Sequence, residues 1–332
     1  MTREIVPELE VPDAGLDAGV TARLDLIEAA LEKSVTSDIE LVSDAARHLI
    51  RAGGKRFRPL LVVLAGHFGD SSAEEISRGA VAIELTHLAS LYHDDVIDEA
   101  DHRRGTPSVN ATWDNTVAVL TGDYLFAKAS EISAELGTEV SRLLAETIGK
   151  VCEGQILEAE ITGRVDATEE EYTEVIRRKT AALISTSCRL GGMLSGVAPD
   201  DVERLSRFGM ALGMAFQLSD DIMDLTADEA TLGKEPGVDL REGVYTLAVI
   251  YALEDGNGEL RTLLSTGPPQ GSRLSRALDL VRRDGALLPA REAVTREVRI
   301  AVAEAEALPT GAPRDALLHL ATFLATRCGA SP

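Results

Sequence analysis

Residues Glu84 to Asn110 read ELTHLASLYHDDVIDEADHRRGTPSVN, and the rest of the chain is best read outward from their aspartates. Asp94, Asp95 and Asp98 stand at D-D-x-x-D spacing, just ahead of the pair Arg103-Arg104. On a helix Asp94 and Asp98 are a turn apart, so both carboxylates point from one face into one space. Like charges that close repel, and a cation between them is the natural remedy. Mg²⁺ suits the place, since it takes hard oxygen ligands from one or two carboxylates and bridges to phosphate oxygens. A solvated acidic helix end accounts for one such cluster equally well. A second copy is harder to explain that way: FQLSDDIMD repeats the spacing with Asp220, Asp221 and Asp224.

The chain has 332 residues, 45% of them hydrophobic but only 4% aromatic, which favours a large helical core of Leu, Ala, Val and Ile over aromatic-rich strands. A formal net charge of -22 and a pI near 4.7 disfavour nucleic acid and anionic membrane surfaces as partners. Positive charge is bunched instead, in Lys55/Arg56/Arg58, Arg103/Arg104 and Arg177/Arg178/Lys179. In an acidic protein such islands suit a small anion, although each alone also fits an ion-paired surface turn. Cys152, Cys188 and Cys328 are too scattered for a disulfide framework or a zinc site. With no secretory leader pattern, and with the longest apolar run, Leu60 to Phe68, too short to span a bilayer, a soluble cytoplasmic protein without stable membrane insertion is expected.

Taken in order, residues 1–15 show no period and read as a mobile N-terminus, followed by a single all-α domain over 16–332. Helical spacing of Leu16 to Leu31 and of Ile39 to Ile50 predicts two helices, ended by Gly53-Gly54. Pro59 is expected to open the next helix at its first position, which puts GGKRFRP at a helix start, either a diphosphate seat or an ordinary basic loop. Ser71 to Glu75 offers capping-box spacing for the helix that carries the stripe His87, Ser90, Asp94 and Asp98. Two more helices cover Val117–Leu136 and Glu139–Glu160, with Gly122-Asp123-Tyr124 and Gly154-Gln155 as breaks or close contacts. A second capping box, Thr168 and Glu171, opens a helix bearing Arg177, Lys179 and Thr180 that ends near Gly191-Gly192. Pro199 starts the helix that places Gln217, Asp220 and Asp224 on one face. From Thr226 to Thr246 the period stops, and ADEATLGKEPGVDLREG, with Lys234, reads as a lid or as a plain connection. Four or five amphipathic helices follow from Leu247 to Arg327, and no strand alternation, Rossmann or P-loop signature is present.

Two carboxylate clusters, three basic islands and a helical cup imply a ligand with an apolar tail and a diphosphate head. Metal neutralises the diphosphate as it leaves, and a closed apolar pocket keeps the resulting allylic cation from water. GGKRFRPLL, HDDVIDEADHRRG, GDYLFAKA, RRKTA, QLSDDIMD and LGKEPGVDLREG together resemble the trans-isoprenyl diphosphate synthases, the polyprenyl synthetases. The resemblance implies an all-α homodimer of the isoprenoid synthase fold, with helices around a deep central cavity, adding isopentenyl diphosphate to an allylic diphosphate with Mg²⁺, about three ions per site. It further implies that Asp94, Asp98, Asp220 and Asp224 hold metal, with Asp95 and Asp221 supporting. Lys55, Arg58, His87 and Arg104 would bind isopentenyl diphosphate; Arg103, Lys179 and Lys234 would bind the allylic diphosphate. Thr180 and Gln217 would lie beside the cation, and the released diphosphate would take the final proton.

The chain departs from the family where Val244 and Ala248 stand in place of a lysine and a proline. Where bulky aromatics stop the growing tail in short-chain members, it has the small Ala89 and Ser90, which predicts an all-trans product of about C30 to C50, stopped lower down by residues such as Leu144 and Ile148. A short-chain C15 to C20 synthase, its pocket closed by Tyr92 or another side chain, and a non-catalytic helical partner subunit are the alternatives.

Overall fold

The computed structural model describes residues 12–226, 236–256, 258–283 and 285–330. The protein is all-α. Its helices are α1 (Ala14–Ser34), α2 (Glu40–Arg51), α3 (Phe57–Gly66), α4 (Glu74–Ile97), α5 (Val109–Thr112), α6 (Asn115–Leu136), α7 (Thr138–Ile161) and α8 (Glu169–Ile176). A π-helical turn, Arg177–Ala181, leads into α9 (Ala182–Leu194) and α10 (Pro199–Thr226). Beyond them come α11 (Val238–Glu242), α12 (Leu247–Glu254), α13 (Gly258–Leu264), α14 (Ser272–Arg283), α15 (Leu287–Glu306) and α16 (Ala312–Arg327). The sequence pattern did not anticipate one small hairpin, β1 (His102–Arg103) paired antiparallel with β2 (Thr106–Pro107). No helix among the described residues is long and apolar enough to cross a membrane.

The chain divides into two compact units, Met1–Ile148 with Thr186–Ser206 and Leu308–Leu317, and Gly149–Ser185 with Arg207–Ala307 and Leu318–Pro332. In the first, α4 packs along α6, α3 and α1. The core there is aliphatic: Ile27, Leu31, Leu61, Leu64, Ile83 and Leu85 are each fully buried. Helix α3 is apolar on all sides and buried from Pro59 to Gly66, as a central helix must be. Gly191 lets α9 approach it, since a β-carbon there would lie 2.2 Å from the Val62 carbonyl oxygen. In the second unit, α12 packs on α15 and α14, and Gly213 of α10 meets the π turn at Ala181 Cα, 2.6 Å from where a β-carbon would stand.

Local rules held where no stronger local bond competed. The box at the start of α8 forms in both directions, Glu171 N–H donating to Thr168 Oγ1 (3.2 Å) and Thr168 N–H to Glu171 Oε2 (2.9 Å). The expected box at Ser71 to Glu75 does not form. Helix α4 begins after Ala73 without a side-chain cap, because Asp70 captures the Ser72 N–H (3.0 Å) and hydroxyl (2.6 Å) in its own turn. Pro59 is the third residue of α3, not the first, still within the turn whose N–H groups have no helical partner. Gly122 and Gly154 are close contacts inside continuous helices, and they make room for the His93 imidazole and for the Lys179 backbone respectively. The order assigned to residues past 15 begins at Ala14, capped by Asp13, whose carboxylate accepts from Leu16 N–H at 2.8 Å.

Gly191→Ala should lower stability by about 1–3 kcal/mol through overpacking against α3. Gly149→Ala, where a β-carbon meets nothing within 4 Å, should raise it by about 0.5–1 kcal/mol. Denaturant midpoints of the two variants check both signs.

Candidate active site

Both acid clusters stand at the wrong end of a helix for their charge. Asp94 and Asp95 occupy the last turn of α4 and Asp98 caps it, with no basic residue in that turn. Asp220, Asp221 and Asp224 crowd the end of α10, again with no basic residue in its last turn. A helix C-terminus carries about half a negative charge, so each cluster is opposed by the dipole as well as by its own neighbours. Positive charge from elsewhere in the chain answers it in part, Arg103 at Asp95 and Arg327 at Asp220.

Burial sorts the residues of α4. His87, Ser90 and Asp94 are half-buried and Asp98 exposed, so the expected stripe exists as an accessible face. Ala89, Tyr92 and Asp95 are fully buried on the other faces. Tyr92 is tied to α2, its hydroxyl donating to the Ala45 carbonyl at 2.6 Å. Asp95 is turned inward to the hairpin, where Arg103 Nε donates to its Oδ1 at 2.6 Å. Burial pushes the Asp95 carboxyl up, and Arg103 opposes that shift.

The hairpin aims the paired arginines differently. Arg104 and Gly105 form its two-residue loop, both with positive φ (53° and 73°), as a primed turn requires. From that backbone Arg104 reaches to the end of α2, where it donates to the carbonyls of Gly53 and Leu49. Gly54 has no side chain to block it: a β-carbon there would lie 2.7 Å from the guanidinium. The Lys55/Arg56/Arg58 island likewise splits into separate roles. Arg56 is 3% exposed and structural, bound by Glu28 of α1 (2.7 and 2.8 Å), by Glu84 of α4 (3.0 Å) and by the Ile50 carbonyl (2.9 Å). Lys55 is exposed. Arg58 has a buried Nε without a hydrogen-bond partner, and burial pulls its pKa down to about 10 while Glu84 opposes. Burial, followed by Arg58, Arg104, Arg56 and Arg103, holds His87 well below the usual histidine range, so it is neutral at pH 7. Glu84, buried and acidic among these cations, is a part of the island that sequence reading missed; a carboxylate one turn before His87 was the available signal.

In the second unit, the RRKTA segment forms the π turn that apolar spacing alone did not reveal. Lys179 is ion-paired with Glu158 of α7. Thr180 Oγ1 donates to Gln217 Oε1 at 3.1 Å, and Gln217 Nε2 donates to Asp221 Oδ1 at 2.9 Å. The other Asp221 oxygen accepts from the Tyr172 hydroxyl. Burial pushes Asp221 up to about 7, and the bonds from Tyr172 and Gln217 pull the other way. Asp224 is buried and its Oδ2 accepts from Asp239 N–H at 3.3 Å. Asp220 is half exposed and paired with Arg327, whose guanidinium lies 5.5 Å from the centre of the Phe216 ring. Lys234 lies outside the described residues, while Gly237 and Gly243, both with positive φ, flank the short α11 of the expected lid.

These residues fit a hard cation. The donors are carboxylate oxygens, and the buried Asp95 Oδ2 has no hydrogen-bond partner. Oxygen donors of this kind suit a hard cation such as Mg²⁺, which takes one or two carboxylates and completes its shell with water and phosphate oxygens.

A sequence model of the family described as Polyprenyl synthetase matches residues 39–281. The nonaprenyl diphosphate synthase of Mycobacterium tuberculosis is 40% identical over 329 residues, 98% of each chain. Heptaprenyl diphosphate synthase component 2 of Geobacillus stearothermophilus is 42% identical over 288 residues, 86% of this chain and 90% of that one. Among solved structures, the geranylgeranyl pyrophosphate synthase of Corynebacterium glutamicum, complexed with calcium and isoprenyl diphosphate, aligns with a TM-score of 0.86 at 41% identity, covering 97% of this chain and 100% of that one. The fold is that of the isoprenoid synthases.

The neutral His87 makes stability pH-dependent. Its folded pKa lies below the unfolded value near 6.5, so its contribution is complete above that pH and is lost as pH falls below it. The slope it adds should reach about 1.4 kcal/mol per pH unit. His87→Gln should flatten the decline in melting temperature between pH 6.5 and 5.

Proposed function

As a member of the polyprenyl synthetase family this chain is a prenyltransferase, and we propose that it condenses isopentenyl diphosphate with an allylic diphosphate under Mg²⁺. The product is read as an all-trans polyprenyl diphosphate of medium to long chain, about C30 to C50, given the small Ala89 and Ser90. The observation that carries the reading is the pair of acid clusters at helix C-termini, one met by Arg103 and the other by Arg327. Mg²⁺, when bound, supplies positive charge to the departing diphosphate.

Asp94 and Asp98 would hold the metal from α4 and Asp220 and Asp224 from α10, with Asp95 and Asp221 supporting. Lys55, Arg58, His87 and Arg104 take isopentenyl diphosphate; the unpartnered Nε of Arg58 is a donor ready for it. Arg103, Lys179 and Lys234 take the allylic diphosphate, for which Lys179 leaves Glu158. The allylic carbon-oxygen bond breaks, and its electron pair leaves with the diphosphate. The isopentenyl double bond attacks the cation, and the proton then lost goes to the released diphosphate. Thr180 and Gln217 face the cation with oxygen. On family grounds we read the active form as a cytoplasmic homodimer, with residues 16–332 working as one domain.

A relative named component 2 favours a second reading, in which a partner chain is needed for full-length product. Incubation of the purified chain alone with labelled isopentenyl diphosphate, farnesyl diphosphate and Mg²⁺ separates these readings. Products beyond C20 support the proposal; products that stop at C20 mean a short-chain synthase, and no product until a partner is added means the second reading.

Asp94→Ala should lower kcat by about 100-fold or more, and a chelator should abolish turnover until Mg²⁺ is restored. Unchanged turnover in this variant would remove Asp94 from the metal site. Because Ser90, not Ala89, lies on the accessible stripe, Ser90→Phe should shorten the product by at least one isoprene unit, as read by chromatography of the dephosphorylated products.

A further inference from the structure

Tyr172 belongs to no motif that pointed to the chemistry, yet it ends a continuous hydrogen-bonded chain. The chain runs from Tyr172 of α8 through Asp221 and Gln217 of α10 to Thr180 of the π turn. Tyr172 and Asp221 are each 4% exposed, and Gln217 is half-buried. The close approach of Gly213 to Ala181 sets the spacing: Gln217 lies one turn beyond that glycine, and Thr180 directly precedes that alanine.

An amide can face either way, because its oxygen and nitrogen ends have nearly the same shape. Here its partners decide. Asp221 Oδ1 accepts from the Gln217 NH₂, so the Gln217 oxygen turns to the Thr180 hydroxyl. That oxygen keeps a second lone pair. With Tyr172 on one Asp221 oxygen and Gln217 on the other, the middle acid of the second cluster is an anchor for Gln217, in contrast to Asp220, half exposed on the same helix.

We infer that Tyr172 is a positioning residue: by holding Asp221 it fixes the Gln217 amide so that the carbonyl oxygen, and not the NH₂ group, is presented to the allylic cation. This rests on the function proposed above. A reversed amide would bring partial positive charge to a carbon gaining positive charge, and a loose one would lose its preorganisation.

Tyr172→Phe keeps the ring and removes the hydroxyl. It should lower kcat about tenfold, with KM for both diphosphates and the Mg²⁺ midpoint within about twofold of the parent. In a Gln217→Ala background the same change should cost nothing further, because the two residues act as one unit. Asp221→Leu removes both acceptor oxygens; it should free the Gln217 amide and cost at least as much as Tyr172→Phe, which covers the case of an unfolded phenylalanine variant. A readout without metal or substrate is available, since the chain has three glutamines, Gln155, Gln217 and Gln270, so ¹⁵N-glutamine labelling gives three side-chain NH₂ pairs and Gln217→Ala assigns one. That pair should exchange slowly with solvent in the parent and at least tenfold faster in Tyr172→Phe. The inference is overturned if kcat stays within twofold, if the losses multiply in the double variant, or if the Gln217 pair exchanges unchanged. Inactivity of the parent chain would refute the proposed function instead, and the exchange measurement would still decide the role of Tyr172.

Discussion

Acid at the negative end of a helix is the constraint on which this protein depends. Asp94, Asp95 and Asp98 at the end of α4, and Asp220, Asp221 and Asp224 at the end of α10, each add charge where the backbone already carries it. Solvation relieves an exposed cluster, but Asp95, Asp221 and Asp224 are buried. The fold therefore assigns each buried acid a donor: Arg103 to Asp95, Tyr172 and Gln217 to Asp221, the Asp239 N–H to Asp224. Asp94 is half-buried, Asp98 is exposed, and Asp220 is half exposed and paired with Arg327.

The basic residues show the same division between frame and function. Arg56 is engaged by Glu28, Glu84 and the Ile50 carbonyl, and so fastens the loop before α3 to α1, α2 and α4. Removing one partner of such a buried pair is costly because the other charge is stranded. Arg58, two residues on, has no such partner for its Nε. A run of cations that looks uniform in the sequence thus holds one residue locked into the frame beside one exposed and one with an unpartnered Nε.

Helix existence, the Thr168 capping box and the accessible stripe of α4 were legible because each rests on local period or on bonds between residues three or four apart. The missing cap at Ser71 was not, since Asp70 offered a closer acceptor in the same turn. The π turn escaped because one extra residue in a helix leaves the apolar pattern on either side intact. Around the acid clusters, Gln217 meets Asp221 at helical spacing, but Arg103 at Asp95, Tyr172 at Asp221 and Glu158 at Lys179 come from residues 8, 49 and 21 positions away in the chain. No periodicity encodes such distances. Product length is equally resistant, since relatives named for nonaprenyl and for geranylgeranyl products are 40% and 41% identical to this chain. Overall likeness weighs the two alike.

The central proposal is that each acid cluster holds divalent metal. Crystals grown with Mn²⁺ and an unreactive allylic thiodiphosphate test it, because anomalous scattering locates the metal directly. The account predicts Mn²⁺ peaks within coordination distance, about 2.0–2.3 Å, of carboxylate oxygens of Asp94 and Asp98 and of Asp220 and Asp224. Peaks confined to one cluster, or a thiodiphosphate bound by arginine and lysine alone, would contradict it.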